Sequence, residues 1–331
     1  MARPVPVPRE LLDFIRGGAK FLVAGHKEPD GDCVGSQLAL CSALKRLGKE
    51  AIPCSSGPFK RSEVALYENR FLALPGEKER EGARVILMDC SDSSRAGDLA
   101  EYLKGLPLAI VDHHVAGQDP AEAAYALIYL DAEAPSVTYM TLDIIEALGL
   151  RPTREEAELL FFGLCTDTGF FRHVDSQGAE TFDYAGRLIR AGANPKAAFH
   201  AINGGKSLAS RKLLGIQLLR SEAYFGGKLI LTSEKYEETR QFGLEGRDSD
   251  HLYQLLQAVS GVEAVAIIRQ ETPEKCSLGF RSRDKVDVAQ VALKFGGGGH
   301  KNAAGANLSG TIEEIQPRVL AAFSEVFRTN L

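Results

Sequence analysis

The chain has 331 residues, 44% of them hydrophobic and 25% charged. That is more than twice the ~150 residues of an average domain, so two cored domains are expected and a disordered, collagen-like or disulfide-stapled chain is excluded. Its 39 basic and 44 acidic residues leave a net charge of -5, which argues against gripping long duplex nucleic acid through a broad positive field.

Cys33, Cys41, Cys54, Cys90, Cys165 and Cys276 contain no C-x-x-C pair and read as reduced cytosolic thiols. Prolines interrupt the opening stretch MARPVPVPRELLDF where a signal peptide needs its apolar region. No apolar run approaches the ~20 residues of a membrane-spanning helix, so a cytoplasmic chain without membrane contact is expected. Residues 21–25 read as a short apolar strand, 34–47 as a helix stopped by Gly48, and 51–54 as a second strand. The runs 85–88 and 108–111 are continuously apolar, the pattern of strands buried on both faces of a parallel sheet. Residues 125–130 are a further strand candidate. The stretch 135–148 reads as a helix ending at Gly149 and capped by Asp131 or Ser136. Thr153 opens another helix, with Glu156 completing a capping box. This alternation predicts an α/β domain over 1–190 built on a parallel sheet.

From 181 to 220 the pattern turns helical and less apolar, and 191–220 is expected to be a helical connection. Beyond it come a hairpin over 224–232 about Gly226-Gly227, a helix at 250–259, strands at 264–269 and 277–281, and helices at 286–293 and 312–327. That order predicts a smaller α+β domain over 221–331.

Acidic and imidazole groups gather at the ends of the apolar elements. His26, Asp30 and Asp32 follow the first strand in HKEPDGDCVGS, where Pro29 and Gly31 shape a tight turn and Gly35 lets the next helix start close to the strand. Asp89 and Asp92 follow the run 85–88 in DCSD, Asp112, His113 and His114 follow 108–111 in DHH, and Asp167 follows an apolar helix at 155–164 in CTDTG. Each motif alone is accounted for by a solvated loop or a helix cap. Together, beyond the carboxyl ends of strands where open α/β sheets bind ligands, they predict a cage of hard oxygen donors and imidazole. Carboxylates crowded at one sheet edge repel. Two divalent cations neutralise them, and manganese, magnesium or iron suit these donors. The absence of paired cysteines argues against structural zinc.

HKEPDGDCVGS, DCSD, DHH and CTDTG, in this order, resemble the four motifs of the DHH phosphoesterase superfamily, and GGGGHKNAAG resembles the signature of the DHH-associated C-terminal domain. Over nearly the whole chain the layout is most similar to the bacterial nanoRNase type; Glu28 stands where that family often has Asn, between ligands and not at one. The resemblance implies an N-terminal catalytic domain, a substrate-binding second domain and an active site in the cleft between them. It implies hydrolysis of short RNA, about two to five nucleotides long, to nucleoside monophosphates, and of 3′-phosphoadenosine-5′-phosphate to AMP. His26 and Asp30 would hold one cation, Asp32, His113 and Asp167 the other, and Asp89 would bridge them, with Mn2+ favoured and Mg2+ as the alternative. His114 would face the substrate and Asp112 would orient a ligand histidine, the competing role for Asp112 being a turn cap. A cyclic-dinucleotide phosphodiesterase with the same two domains is the alternative enzyme. A processive single-strand DNA exonuclease would want further domains and a basic track. A non-catalytic RNA-binding module would not need the set from His26 to Asp167.

Successive glycines at 296–299 can aim several N–H groups into one anion-holding concavity, although a bare glycine run is more often a connector. An arginine fork pairs bidentately with phosphate. The resemblance implies substrate contacts from Arg281 and His300, with Ser282, Arg283, Gly298 and Gly299 completing the expected binding set. Arg95 reads as a salt-bridge partner of Asp92, Arg172 as a further cleft candidate, and Cys90 as a core residue pointing away from Asp89. GGKS at 204–207 lacks the earlier glycine of a P-loop, so no ATP site is expected. Short RNA and small nucleotides are the expected partners, without long duplex or membrane, and a homodimer is left open.

Overall fold

The computed structural model describes residues 5–114, 122, 124–174, 176, 178–283 and 285–329. The chain divides into two compact units, one ending at Gly205 and the other beginning at Lys206. The helical stretch expected as a separate connection is shared between them, with Pro195–Asn203 in the first and Leu208–Leu219 in the second.

In the first unit β1 (Lys20–Ala24), β2 (Glu50–Cys54), β3 (Ala83–Met88), β4 (Leu108–Asp112) and β5 (Leu127–Leu130) form a sheet in the order β2-β1-β3-β4-β5, parallel throughout. Among helices of six or more residues this unit has α1 (Arg9–Gly17), α2 (Gly31–Arg46), α3 (Val137–Ala147), α4 (Arg154–Asp167), α5 (Ala179–Arg190) and α6 (Pro195–Asn203). Ile86 and Met88 join the core cluster that includes α2 to α4, while Val85 and Leu87 join the cluster on the other face. Strand side chains alternate between faces, and burial of both faces is why β3 and β4 read as unbroken apolar runs.

Helix α2 begins at Gly31, ahead of its apolar pattern, because the Asp30 carboxylate caps it by accepting from the amides of Asp32 (3.1 Å) and Cys33 (3.2 Å). Ser136 caps α3; Asp131 instead accepts from the amides of Val5 and Glu133. The Thr153–Glu156 capping box opens α4, which runs through Asp167 rather than ending at 164. Helices α2, α3 and α4 meet through glycines. A Cβ at Gly35 would stand 2.6 Å from the Leu159 carbonyl, and one at Gly163 2.5 Å from Thr138 Cγ2. This close approach brings Asp32 and Asp167 to one end of the sheet. Gly35→Ala is therefore expected to destabilise the fold by about 1–3 kcal/mol through overpacking, read as a lower urea midpoint; an unchanged midpoint would contradict the close packing.

The second unit has α7 (Leu208–Leu219), β6 (Glu222–Tyr224), β7 (Leu229–Glu234), α8 (Tyr236–Phe242), α9 (Ser249–Gln257), β8 (Ala264–Thr272), β9 (Lys275–Ser282), α10 (Val288–Leu293), β10 (Gly298–His300), β11 (Ala303–Ser309) and α11 (Ile312–Thr329). Its strands run β10-β11-β9-β8-β7-β6, antiparallel except for the β7–β8 pair. Phe280, Val291 and Phe323 pack on one face, and Leu214, Tyr253 and Ile267 on part of the other. Strands β10 and β11 lie where the sequence reads as a glycine connector. The glycines allow backbones to approach. A Cβ on Gly297 would strike the Gly305 carbonyl, and one on Gly299, at φ +142°, would come within 2.5 Å of the Ala303 carbonyl.

Candidate metal centre

Three overlapping groups of ligand atoms, each within 4.8 Å of one another, form at the carboxyl end of the first sheet: His26 with Cys33 and Asp89, Asp89 with His113 and His114, and Asp32 with His113 and Asp167. Asp89 stands at the centre. It follows β3 with φ +57°, the left-handed region that Asp tolerates better than most residues. Its Oδ2 lies 3.4 Å from His26 Nε2 and its Oδ1 3.8 Å from His113 Nε2. His26 Nε2 is also 3.8 Å from Asp30 Oδ1, and His113 Nε2 is 3.5 Å from Asp167 Oδ2.

Both imidazoles are aimed by backbone carbonyls. Nδ1 of His26 lies 2.8 Å from the Lys27 carbonyl and Nδ1 of His113 lies 3.0 Å from that of Ala134. Assigning Nδ1 as the N–H donor leaves each Nε2 free as a ligand toward the carboxylates. His114 differs: its Nδ1 donates to Asp112 Oδ1 at 2.7 Å. Asp112 is fully buried and the same oxygen also accepts from the His113 amide at 2.9 Å. The side chain that Asp112 orients is thus His114, not His113, the histidine expected as a ligand, whose ring is held by Ala134 instead. The Asp112 contact raises the pKa of His114 against partial burial, and Arg95 opposes it.

Asp32 is buried and sits at the start of α3, its oxygens accepting from the amides of Val137 (2.5 Å) and Thr138 (2.8 Å). Even so, burial and then the charges of Asp89 and Asp167 push its pKa up. Burial and the Asp89 and Asp30 charges likewise push Asp167 up to about 6, with His113 opposing. Asp30 is held down to about 2 by His26 in spite of burial. Burial disfavours a charged His26, but Cys33, Asp30 and Asp89 outweigh it and the pKa rises.

These residues fit a divalent-cation site. Among the described residues Asp89 Oδ1 is buried without a hydrogen-bond partner, a state that a positive ion relieves. Among the described residues no arginine or lysine forms an ion pair with the crowded carboxyls of Asp32 and Asp167, and the donors are hard oxygens and imidazole.

Other expected residues are placed differently. Asp92 does not pair with Arg95 among the described residues; it caps the turn Ser93–Leu99 through the Ser94 amide at 2.8 Å. Arg172 is exposed and donates to the Gly169 carbonyl. Ser207 caps α7. Strand β3 ends at Met88, so strand alternation does not set the direction of Cys90, but its side chain is buried in the core. Cys33 is the member of the centre that was not expected. Its thiol donates to Gln37 Oε1, and burial pushes it up to about 11.

In the second unit Arg281 pairs with Ala303 and Ala303 with His300 across neighbouring strands. Arg281 and His300 therefore share one row on the sheet face opposite Phe280. Gly279, Gly305 and Gly298 form the adjacent row, so Gly298 and Gly299 belong to an edge strand rather than an open loop. Ser282 is buried on the other face with its hydroxyl donating to the Val286 carbonyl, and Arg283 donates to the Gln257 carbonyl. Both lie off the Arg281–His300 row.

A parallel sheet that gathers carboxylates and imidazoles beyond its strand ends defines a metallohydrolase-type centre. The DHH family N-terminal domain model matches residues 20–164 and the DHHA1 domain model residues 227–329. The bifunctional oligoribonuclease and PAP phosphatase NrnA of Thermus thermophilus is 32% identical, over 96% of this chain and 92% of its own. The Bacillus subtilis protein of the same name is 29% identical, over 90% and 92%. An exopolyphosphatase-related protein from Bacteroides fragilis shares the fold, with a TM-score of 0.82 at 22% identity, over 97% of this chain and 95% of that one. The chain belongs to the DHH family of phosphoesterases. No helix among the described residues is long and apolar enough to cross a membrane.

Proposed function

We propose that the chain is a metal-dependent phosphoesterase. It hydrolyses short RNA, about two to five nucleotides long, to nucleoside monophosphates, and 3′-phosphoadenosine-5′-phosphate to AMP. The observation that carries this reading is the Asp89 carboxylate, whose two oxygens face two imidazoles aimed by backbone carbonyls. It gains support from the relative, 32% identical, whose name states both activities.

His26, Asp30 and Asp89 would hold one cation, and Asp89, Asp32, His113 and Asp167 the other, with Mn2+ favoured over Mg2+. Bound there, such cations supply Lewis acidity toward phosphoryl oxygens and lower the pKa of water. Asp112 fixes His114 through Nδ1, which leaves Nε2 as the proton donor for a phosphoryl or leaving oxygen. Arg281 and His300 bind phosphate oxygens of the substrate.

A substrate panel tests the reading: RNAs from about two to about twenty-four nucleotides, 3′-phosphoadenosine-5′-phosphate, a cyclic dinucleotide and pyrophosphate, each with Mn2+ or Mg2+. With few phosphates contacted, turnover is expected to be fastest on the shortest RNAs, to fall steeply with length and to depend weakly on salt. Exclusive hydrolysis of the cyclic dinucleotide, or faster cleavage of the longest RNA with a steep salt slope, would overturn it.

A further inference from the structure

Arg281 stands with its guanidinium 4.7 Å from the centre of the Tyr253 ring. Its Nη1 donates to the Phe280 carbonyl, and no ion pair joins it among the described residues. Arg281 is therefore a cation held by an aromatic face. The guanidinium donors lie in its plane, so stacking leaves an edge available for a pair of phosphate oxygens.

Tyr253 is itself fixed in place. It is 5% exposed in the α9 core cluster, and its hydroxyl is buried beside Arg269 with no well-formed hydrogen bond among the described residues. That hydroxyl occupies the space over Gly279 where a side chain would stand: a Cβ there would collide with it and meet Cζ at 3.4 Å. Gly279 thus opens a slot in β9, two residues from Arg281 on the same sheet face, and the phenol fills it.

We infer that Tyr253, seated in the slot at Gly279, is a positioning residue that presents Arg281 to a nucleotide phosphate. This rests on the phosphate-binding role proposed above for Arg281. Binding of 3′-phosphoadenosine-5′-phosphate is measured by calorimetry beside its turnover. Tyr253→Leu weakens binding and raises KM about three- to thirtyfold, the worth of a cation–π contact, with kcat unchanged. Tyr253→Phe keeps the ring and wild-type affinity. Gly279→Ala also raises Kd, and adding Tyr253→Phe restores it, because the deleted oxygen is the atom the new methyl strikes. In an Arg281→Ala background Tyr253→Leu adds nothing. Wild-type Kd in Tyr253→Leu, or a full additional loss in the Arg281→Ala background, would overturn the inference. Tight binding without turnover by the wild type would instead overturn the proposed activity and leave the binding comparison decisive for Tyr253.

Discussion

Asp89→Asn abolishes turnover of every phosphoester substrate, by on the order of a thousandfold or more, about 4 kcal/mol of barrier, while the cation-free protein becomes more stable than the wild type. The two effects have one origin. Asp89 is the buried carboxylate between His26 and His113, and its Oδ1 makes no hydrogen bond among the described residues. Its charge also helps push the carboxyls of Asp32 and Asp167 above their ordinary range. With no cation present, removing that charge relieves the repulsion on both Asp32 and Asp167, which is expected to outweigh the attraction lost to His26; with cations present it removes the shared ligand. Asn keeps access to the positive φ at this position, so the loss is not one of backbone strain. Asp92→Ala is the control. It removes a turn cap worth about 1 kcal/mol and leaves turnover near wild type. Thermal midpoints with and without Mn2+, taken beside turnover, separate the two; a less stable cation-free Asp89→Asn protein would contradict the charge argument.

Asp32→Asn is expected to lower stability and activity together. Both oxygens of Asp32 accept amides at the start of α3. A carboxamide offers one acceptor and turns an N–H group toward the other amide, leaving a buried donor unpaired at a cost of about 1–3 kcal/mol. The same change weakens the ligand set with His113 and Asp167. A lower urea midpoint with reduced turnover is the expected result; a wild-type midpoint would mean that Asp32 does not hold α3.

How far the sequence reaches is visible in these residues. The strands of the first unit were legible because β3 and β4 are buried on both faces and therefore continuously apolar. The capping box at Thr153 was legible because both partners lie within one turn. The gathering of His26, Asp89 and His113 followed from strand-end placement, and that of Asp167 from the end of an apolar helix. What stayed hidden depends on backbone position. The carbonyls of Lys27 and Ala134 aim the two imidazoles, and amides from residues more than a hundred positions away hold Asp32; no residue type marks either. Strands β10 and β11 were missed because glycine and alanine carry little strand signal, and close backbone approach, not side-chain patterning, selects them. The Asp92–Arg95 pair expected from spacing yielded to a shorter-range cap.

We propose that Asp89 joins two cation positions in one hydrolytic centre. Manganese bound per chain, measured by equilibrium dialysis of the wild type and of Asp89→Asn, tests it directly. About two ions are expected for the wild type, with loss of both at the same free manganese in Asp89→Asn. Two ions retained by Asp89→Asn, or none bound by the wild type, would contradict it.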